Sequence, residues 1–179
     1  MSPILSLEGL SVRLPPGADR PHALQDVTLS LNANEIVCVV GESGSGKSMM
    51  ANAVMRLLPQ GVDIDAGQVL FEGRDLARAT ETEMRQVRGA GIAMIFQEPM
   101  TALNPLRTVG DQIGEMFRIH TDLSKAEIAA RILDLLEEVR IPDPRQAMGA
   151  YPHELSGGQR QRAMIAMAMA LDPRLARKR

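Results

Sequence analysis

Apolar and polar positions alternate from the start of the chain. Residues 4–14, ILSLEGLSVRL, put Ile4, Ser6 and Glu8 on one parity and Leu5, Leu7 and Gly9 on the other, the pattern of a half-buried strand. PPGADRP breaks it. The segment ALQDVTLSLN then sets Val27, Leu29 and Leu31 against Thr28, Ser30 and Asn32, so an antiparallel partner strand is expected. The next run, EIVCVV at 35–40, does not alternate; unbroken apolar sequence of this length suits a strand buried on both faces of a parallel sheet covered by helices.

Beyond it the period changes. SMMANAVMRLLP (48–59) has helical propensity and stops at Pro59, QVLFEGRDL (68–76) reads as a short strand and turn, and GIAMIFQ (91–97) as a second buried strand. Thr80 with Glu83, and Ser124 with Glu127, have capping-box spacing. After the second box Ile128, Ile132, Leu135, Leu136 and Val139 recur at three- and four-residue intervals, which predicts a helix ending before Pro142. A last helix is expected from about Ser156 to Leu171, apolar nearly all round after its first two turns and therefore buried.

Composition narrows the class. With 179 residues, 45% of them apolar and 23% charged, the chain has ample length for a packed core. Its net charge of −2 supplies no field for polyanions, and one Tyr, three Phe and no Trp supply no stacking platform for single-stranded nucleic acid, so no nucleic-acid partner is expected. A lone cysteine, Cys38, inside the apolar run predicts a buried, inert thiol in a reducing compartment. The longest apolar stretch near the C-terminus is AMIAMAMAL, too short for a membrane helix, and the N-terminus lacks a signal-like pattern; a cytoplasmic protein is expected.

Two strings carry chemistry. GESGSGKS (Gly41, Glu42, Ser43, Gly44, Ser45, Gly46, Lys47, Ser48) is a P-loop pattern placed between a predicted strand and a predicted helix. Its glycines let the backbone turn tightly and bring N–H groups around phosphate oxygens, while the helix that follows points its positive end at the same anion. Lys47 supplies a point charge for β- and γ-phosphates, and Ser48 a hydroxyl for magnesium. LSGGQ follows at 155–159: Ser156 is a good helix N-cap, and Gly157 and Gly158 let backbone amides approach a ligand. Two anion sites so far apart in sequence make sense if two chains meet head to tail, each signature closing the other's P-loop.

The order of these motifs resembles the ATP-binding cassette (ABC) family, and MIFQEPMTALNPLRTVGDQI (94–113) with YPHELSGGQRQRAMIAMA (151–168) is similar to the ATPase subunits of its oligopeptide, dipeptide, nickel and glutathione importer branch. The resemblance implies an α/β P-loop NTPase fold with an antiparallel β subdomain and a helical subdomain: a nucleotide-binding core at 1–98, the helical subdomain at 99–155, and a signature helix returning to the core at 156–179. It implies that Gln97 contacts magnesium or the attacking water, and that Ser156, Gly157, Gly158 and Gln159 face the γ-phosphate of an opposing subunit. ATP and Mg2+ are the implied cofactors. A second ATPase subunit and transmembrane permease subunits are the implied partners, with a solute-binding protein acting indirectly, at the inner face of the plasma membrane.

The sequence departs from that pattern in two places. Leu14 stands where the family commonly stacks adenine on an aromatic side chain, with His22 a candidate substitute. DPRL is followed by ARKR, where the family has an apolar strand ending in Asp-Glu, so no Walker B carboxylates, catalytic glutamate or switch histidine are present. Those strands would lie between 36–40 and 92–96, and an incomplete central sheet is expected, with two unpaired inward edges, marginal folding and no sustained hydrolysis. A non-catalytic nucleotide-binding or dimerisation module stays open as an alternative, and a DNA-repair-type ABC ATPase as a third.

Overall fold

The computed structural model describes residues 2–96 and 102–178, and the chain divides into two compact units, 1–85 and 86–179. The first holds β1 (Leu5–Arg13), β2 (His22–Leu31), α1 (Lys47–Met55), β3 (Asp63–Phe71), β4 (Arg74–Asp75) and a 3-10 turn at Leu76–Arg78; α2 (Glu81–Val87) straddles the boundary. Its sheet is antiparallel, in the order β2-β1-β3-β4. Leu7 of β1 faces Leu29 on one side and Val69 on the other.

Simple alternation does not run through β1. Leu7 and Leu10 pair with Leu29 and Val27, so β1 spends one residue more than its neighbour on that interval, and a matching shift separates Glu8 and Ser11 against β3. This bulge moves the inward parity from Leu5 and Leu7 to Leu10 and Val12, and all four are buried. Gly9 sits at φ 59°, its N–H donating to Thr28 Oγ1 at 3.1 Å. Opposite it Gly67 has φ 85°, and a Cβ there would lie 2.4 Å from the Gly9 carbonyl oxygen. Only glycine fits.

α1 buries Met50, Ala51, Ala53, Val54 and Met55, and packs against β2 and the 3-10 turn. It stops at Arg56, whose left-handed backbone (φ 49°) donates to the Ala53 and Asn52 carbonyls ahead of Pro59.

The second unit contains β5 (Ile92–Ile95), α3 (Val109–His120), α4 (Lys125–Glu138), α5 (Pro144–Gly149), a 3-10 turn at Pro152–Glu154, α6 (Gly157–Met169) and β6 (Leu175–Lys178). Helices α3 to α6 enclose one core that includes Ile113, Phe117, Ile132, Leu136 and Ala163. Both expected capping boxes form: Glu83 Oε2 accepts from Thr80 N at 2.6 Å and Glu127 Oε2 from Ser124 N at 2.8 Å. The backbone and side-chain bonds from Thr80 hold the Glu83 carboxyl below its ordinary range, and those from Ser124, side chain first, do the same for Glu127. The Arg162 guanidinium donates to the Val139 carbonyl at 3.3 Å and to that of Arg140, closing the C-terminal end of α4. Among the described residues no helix is long and apolar enough to cross a membrane.

Three expectations are corrected. Residues 36–40 form no strand, and Ile36 and Val40 are 92% exposed. No described strand lies beside them, and a backbone without ladder partners does not hold an extended, doubly buried conformation. For the same reason Cys38 is exposed rather than buried. The inward edge of β5, expected to be unpaired, is paired: β6 runs parallel to it, with Ile92 opposite Leu175 and Ile95 opposite Lys178. β6 escaped the sequence reading because LARK has neither an apolar run nor alternation, and its ladder comes wholly from β5.

Gly67→Ala adds backbone strain and a main-chain clash and is expected to cost roughly 2–4 kcal/mol, whereas Gly73→Ala, with φ 82° and no atom within 4 Å of its Cβ position, costs about 1 kcal/mol. Urea denaturation of both variants checks this, and equal losses contradict it. Because the Glu127 carboxyl is lowered in the folded chain, its capping box contributes above the ordinary glutamate range and fades as pH falls through the folded value. Ser124→Ala is therefore expected to lower the unfolding midpoint at pH 7 and to weaken its fall below pH 4.5 in an acid titration.

Candidate functional site

The P-loop lies between residue 40 and α1. Gly44 and Gly46 have φ 82° and 93°, a conformation that side chains with a Cβ rarely adopt, and Gly46 is the N-cap of α1 with no side-chain cap. A Cβ on Gly46 would meet the Ala23 carbonyl oxygen and Leu24 Cδ2 at 2.7 Å, so the end of the loop rests directly on the start of β2. The positive end of α1 therefore opens toward the loop without a competing carboxylate or hydroxyl acceptor at its cap.

Lys47 folds back across the loop. Its Nζ donates to the Gly41 and Glu42 carbonyls at 2.7 Å each and to Ser45 Oγ at 3.1 Å. The turn is closed by Ser45 N–H on the Glu42 carbonyl at 3.2 Å. Glu42 engages the lysine through its backbone carbonyl. Ser48 lies in the first turn of α1, a hard oxygen donor next to the loop, which is the donor type that magnesium takes. Lys47 and the groups it collects thus draw Gly41 to Ser48 into one closed loop.

The signature is a separate helix terminus in the second unit. Ser156 caps α6: its Oγ accepts from Gln159 N at 3.3 Å, and its own N–H donates to Gln159 Oε1 at 2.8 Å. Both side chains are engaged locally, so the face offered outward is the glycine pair. Cβ atoms on Gly157 and Gly158 would meet nothing within 4 Å, and neither has a positive φ. Nothing among the described residues requires glycine there, and glycine in a helix is less stable than alanine.

Gln97 and Glu98 lie outside the described residues. The loop after them is held by Gln112, a buried side chain whose Nε2 donates to the Asn104 and Arg107 carbonyls at 3.1 and 3.0 Å and whose Oε1 accepts from Asn104 N at 2.8 Å. Sequence reasoning missed this clamp; a glutamine on the apolar side of an amphipathic helix was its only signal. His22 is tied to Asp65 at 3.2 Å, with Arg13 on the same carboxylate at 3.4 Å. His153 stacks on Tyr151 with ring centroids 5.7 Å apart. Among the described residues no group of three or more His, Cys, Asp or Glu side chains could hold a metal.

A family model described as ABC transporter matches residues 24–176. The chain belongs to the ABC transporter family. Its cassette fold is also that of the solved dimeric ABC transporter cassette MJ0796, at a TM-score of 0.83 and 26% identity over 97% of this chain and 72% of that one. The same cassette in a post-hydrolysis state bound to ADP and Pi gives a TM-score of 0.84. Among relatives, the probable D,D-dipeptide transport ATP-binding protein DdpD of Escherichia coli is 49% identical over 97% of this chain and 53% of its own length. A putative peptide import ATP-binding protein of Brucella ovis shows 49% identity at the same coverages. The glutathione import ATP-binding protein GsiA of Salmonella typhimurium is 46% identical over 95% of this chain and 28% of its own length. The chain spans about half the length of the first two relatives.

Gly158→Ala in this cassette is expected to raise the unfolding free energy by roughly 0.3–1 kcal/mol, because it removes backbone freedom from α6 without a clash. Thermal denaturation reads this directly; a destabilised variant would show that the glycine serves internal packing instead.

Proposed function

We propose that this chain supplies the nucleotide-gripping part of an ATP-binding subunit that energises import of peptides or related small solutes through separate transmembrane permease subunits. The observation that carries the reading is the P-loop cradle: left-handed glycines, an uncapped helix start and a lysine collecting the loop's carbonyls. The transport functions named for the relatives, of D,D-dipeptides, peptides and glutathione, support the solute class.

In this reading the Lys47 ammonium exchanges the Gly41 and Glu42 carbonyls for β- and γ-phosphate oxygens, which bind a cation more strongly because they are charged. Magnesium, when bound with ATP, neutralises charge that develops on the same oxygens. Ser48 would hold it through its hydroxyl, and Gln97 through its amide oxygen. The glycine face of the signature, Gly157 and Gly158 between the locked Ser156 and Gln159, meets the γ-phosphate on a second cassette in a head-to-tail pair. Glycine is required there for approach by that second chain, which accounts for residues that no internal contact explains.

The residues after Leu175 bear on turnover. Ala176 to Lys178 occupy the strand beside β5, and none of the three is a carboxylate. We assign none of these 179 residues to polarising the attacking water, so the 179-residue chain taken alone is expected to bind ATP without repeated turnover. The non-catalytic module is therefore the second reading, favoured by that strand.

Titration with a fluorescent ATP analogue and Mg2+ tests the first reading. Binding is expected, weakened roughly tenfold or more by Lys47→Ala. Phosphate release is expected to stay below one equivalent per chain. Sustained release that Lys47→Ala abolishes would refute the non-catalytic reading, and equal affinity of wild type and variant would refute the nucleotide site.

A further inference from the structure

A second cation grips the P-loop from outside the motif. Arg20, in the loop between β1 and β2, donates through its guanidinium to the Gly44 carbonyl at 2.6 Å. We infer that Arg20 is a positioning residue for the nucleotide, fixing the Gly44–Ser45 peptide so that the P-loop keeps its phosphate-binding shape. The inference rests on the nucleotide reading above and adds to it a residue outside the glycine-rich motif.

The Gly44–Ser45 peptide is held at both ends. Its carbonyl takes the Arg20 guanidinium, and its N–H donates to the Glu42 carbonyl at 3.2 Å. Gly44 has φ 82° and no atom within 4 Å of its Cβ position, so packing does not restrain this peptide plane. The carbonyls of Gly41 and Glu42 are collected by Lys47. A carbonyl turned toward a phosphate repels it, and a cation bound to that carbonyl offsets the repulsion. When phosphate draws Lys47 away from Gly41 and Glu42, the bond from Arg20 is the one that stays.

Arg20 is also presented by a stiff loop. Leu14 N–H donates to the Pro21 carbonyl at 2.9 Å across the loop's base, and Ala18 N–H to that of Pro15 at 3.2 Å. Pro21 restricts Arg20 to extended backbone, and Pro15 and Pro16 fix φ on the other arm. Little ordering entropy is spent when the guanidinium meets Gly44.

The experiment is a binding titration of the full chain with the fluorescent ATP analogue, with inorganic tripolyphosphate as competitor, for wild type, Lys47→Ala, Arg20→Ala and Arg20→Lys. Arg20→Ala is expected to weaken both probes equally, by roughly 3- to 10-fold, with partial recovery in Arg20→Lys, which keeps a cationic donor. Equal affinities in wild type and both Arg20 variants overturn the inference while leaving the nucleotide reading intact. A loss confined to the ATP analogue places Arg20 on the base and also overturns it. A wild-type chain that binds neither probe, or binds both as weakly as Lys47→Ala, overturns the nucleotide reading and this inference with it. Should Arg20→Ala lose its folded far-ultraviolet signal, Arg20→Lys decides alone: weaker binding of both probes supports the inference, and wild-type affinity refutes it.

Discussion

A constrained peptide group needs a hydrogen-bond partner, and in the P-loop side-chain cations supply one for backbone carbonyls. Around the P-loop three such carbonyls, on Gly41, Glu42 and Gly44, are taken by two cations, Lys47 from the start of α1 and Arg20 from the β1–β2 loop. The left-handed backbone at Gly44 and Gly46 makes that arrangement reachable, and the contact of Gly46 with Ala23 and Leu24 anchors it on the sheet. The shape of the P-loop therefore draws on residues outside the motif, since β2 and the β1–β2 loop each contribute to it.

The same requirement explains the sheet. β1 needs its bulge at Gly9 so that Leu5, Leu7, Leu10 and Val12 all face the core, and the bulge is tolerated because β3 brings a glycine, Gly67, to the crowded position. In the second unit β5 finds its partner in β6, a strand whose sequence alone would not choose an extended state. Residues 36–40 have strong strand propensity and no described neighbour, and they stay exposed. Propensity proposes a strand, and the ladder decides.

The signature turns this logic outward. Ser156 and Gln159 satisfy one another, leaving two helical glycines open to the surroundings. Lys47, by contrast, is engaged in contacts that a phosphate can replace. In the proposed function the first of these sites meets another chain, and the second closes on a small anion.

Much of this was legible along the chain. The P-loop and signature are local, because each needs only a few consecutive residues with the right backbone freedom, and the two capping boxes and α4 follow from three- and four-residue spacing. What only the tertiary structure decided depends on partners distant in sequence. Arg20 lies 24 residues before the carbonyl it holds, Gly67 stands across the sheet from the bulge at Gly9, and Leu175 finds its ladder at Ile92. Cys38 is the sharpest case: its neighbours Val37 and Val39 assign it to a core, yet burial is a property of what packs against a segment, and no neighbour in its own run can supply that.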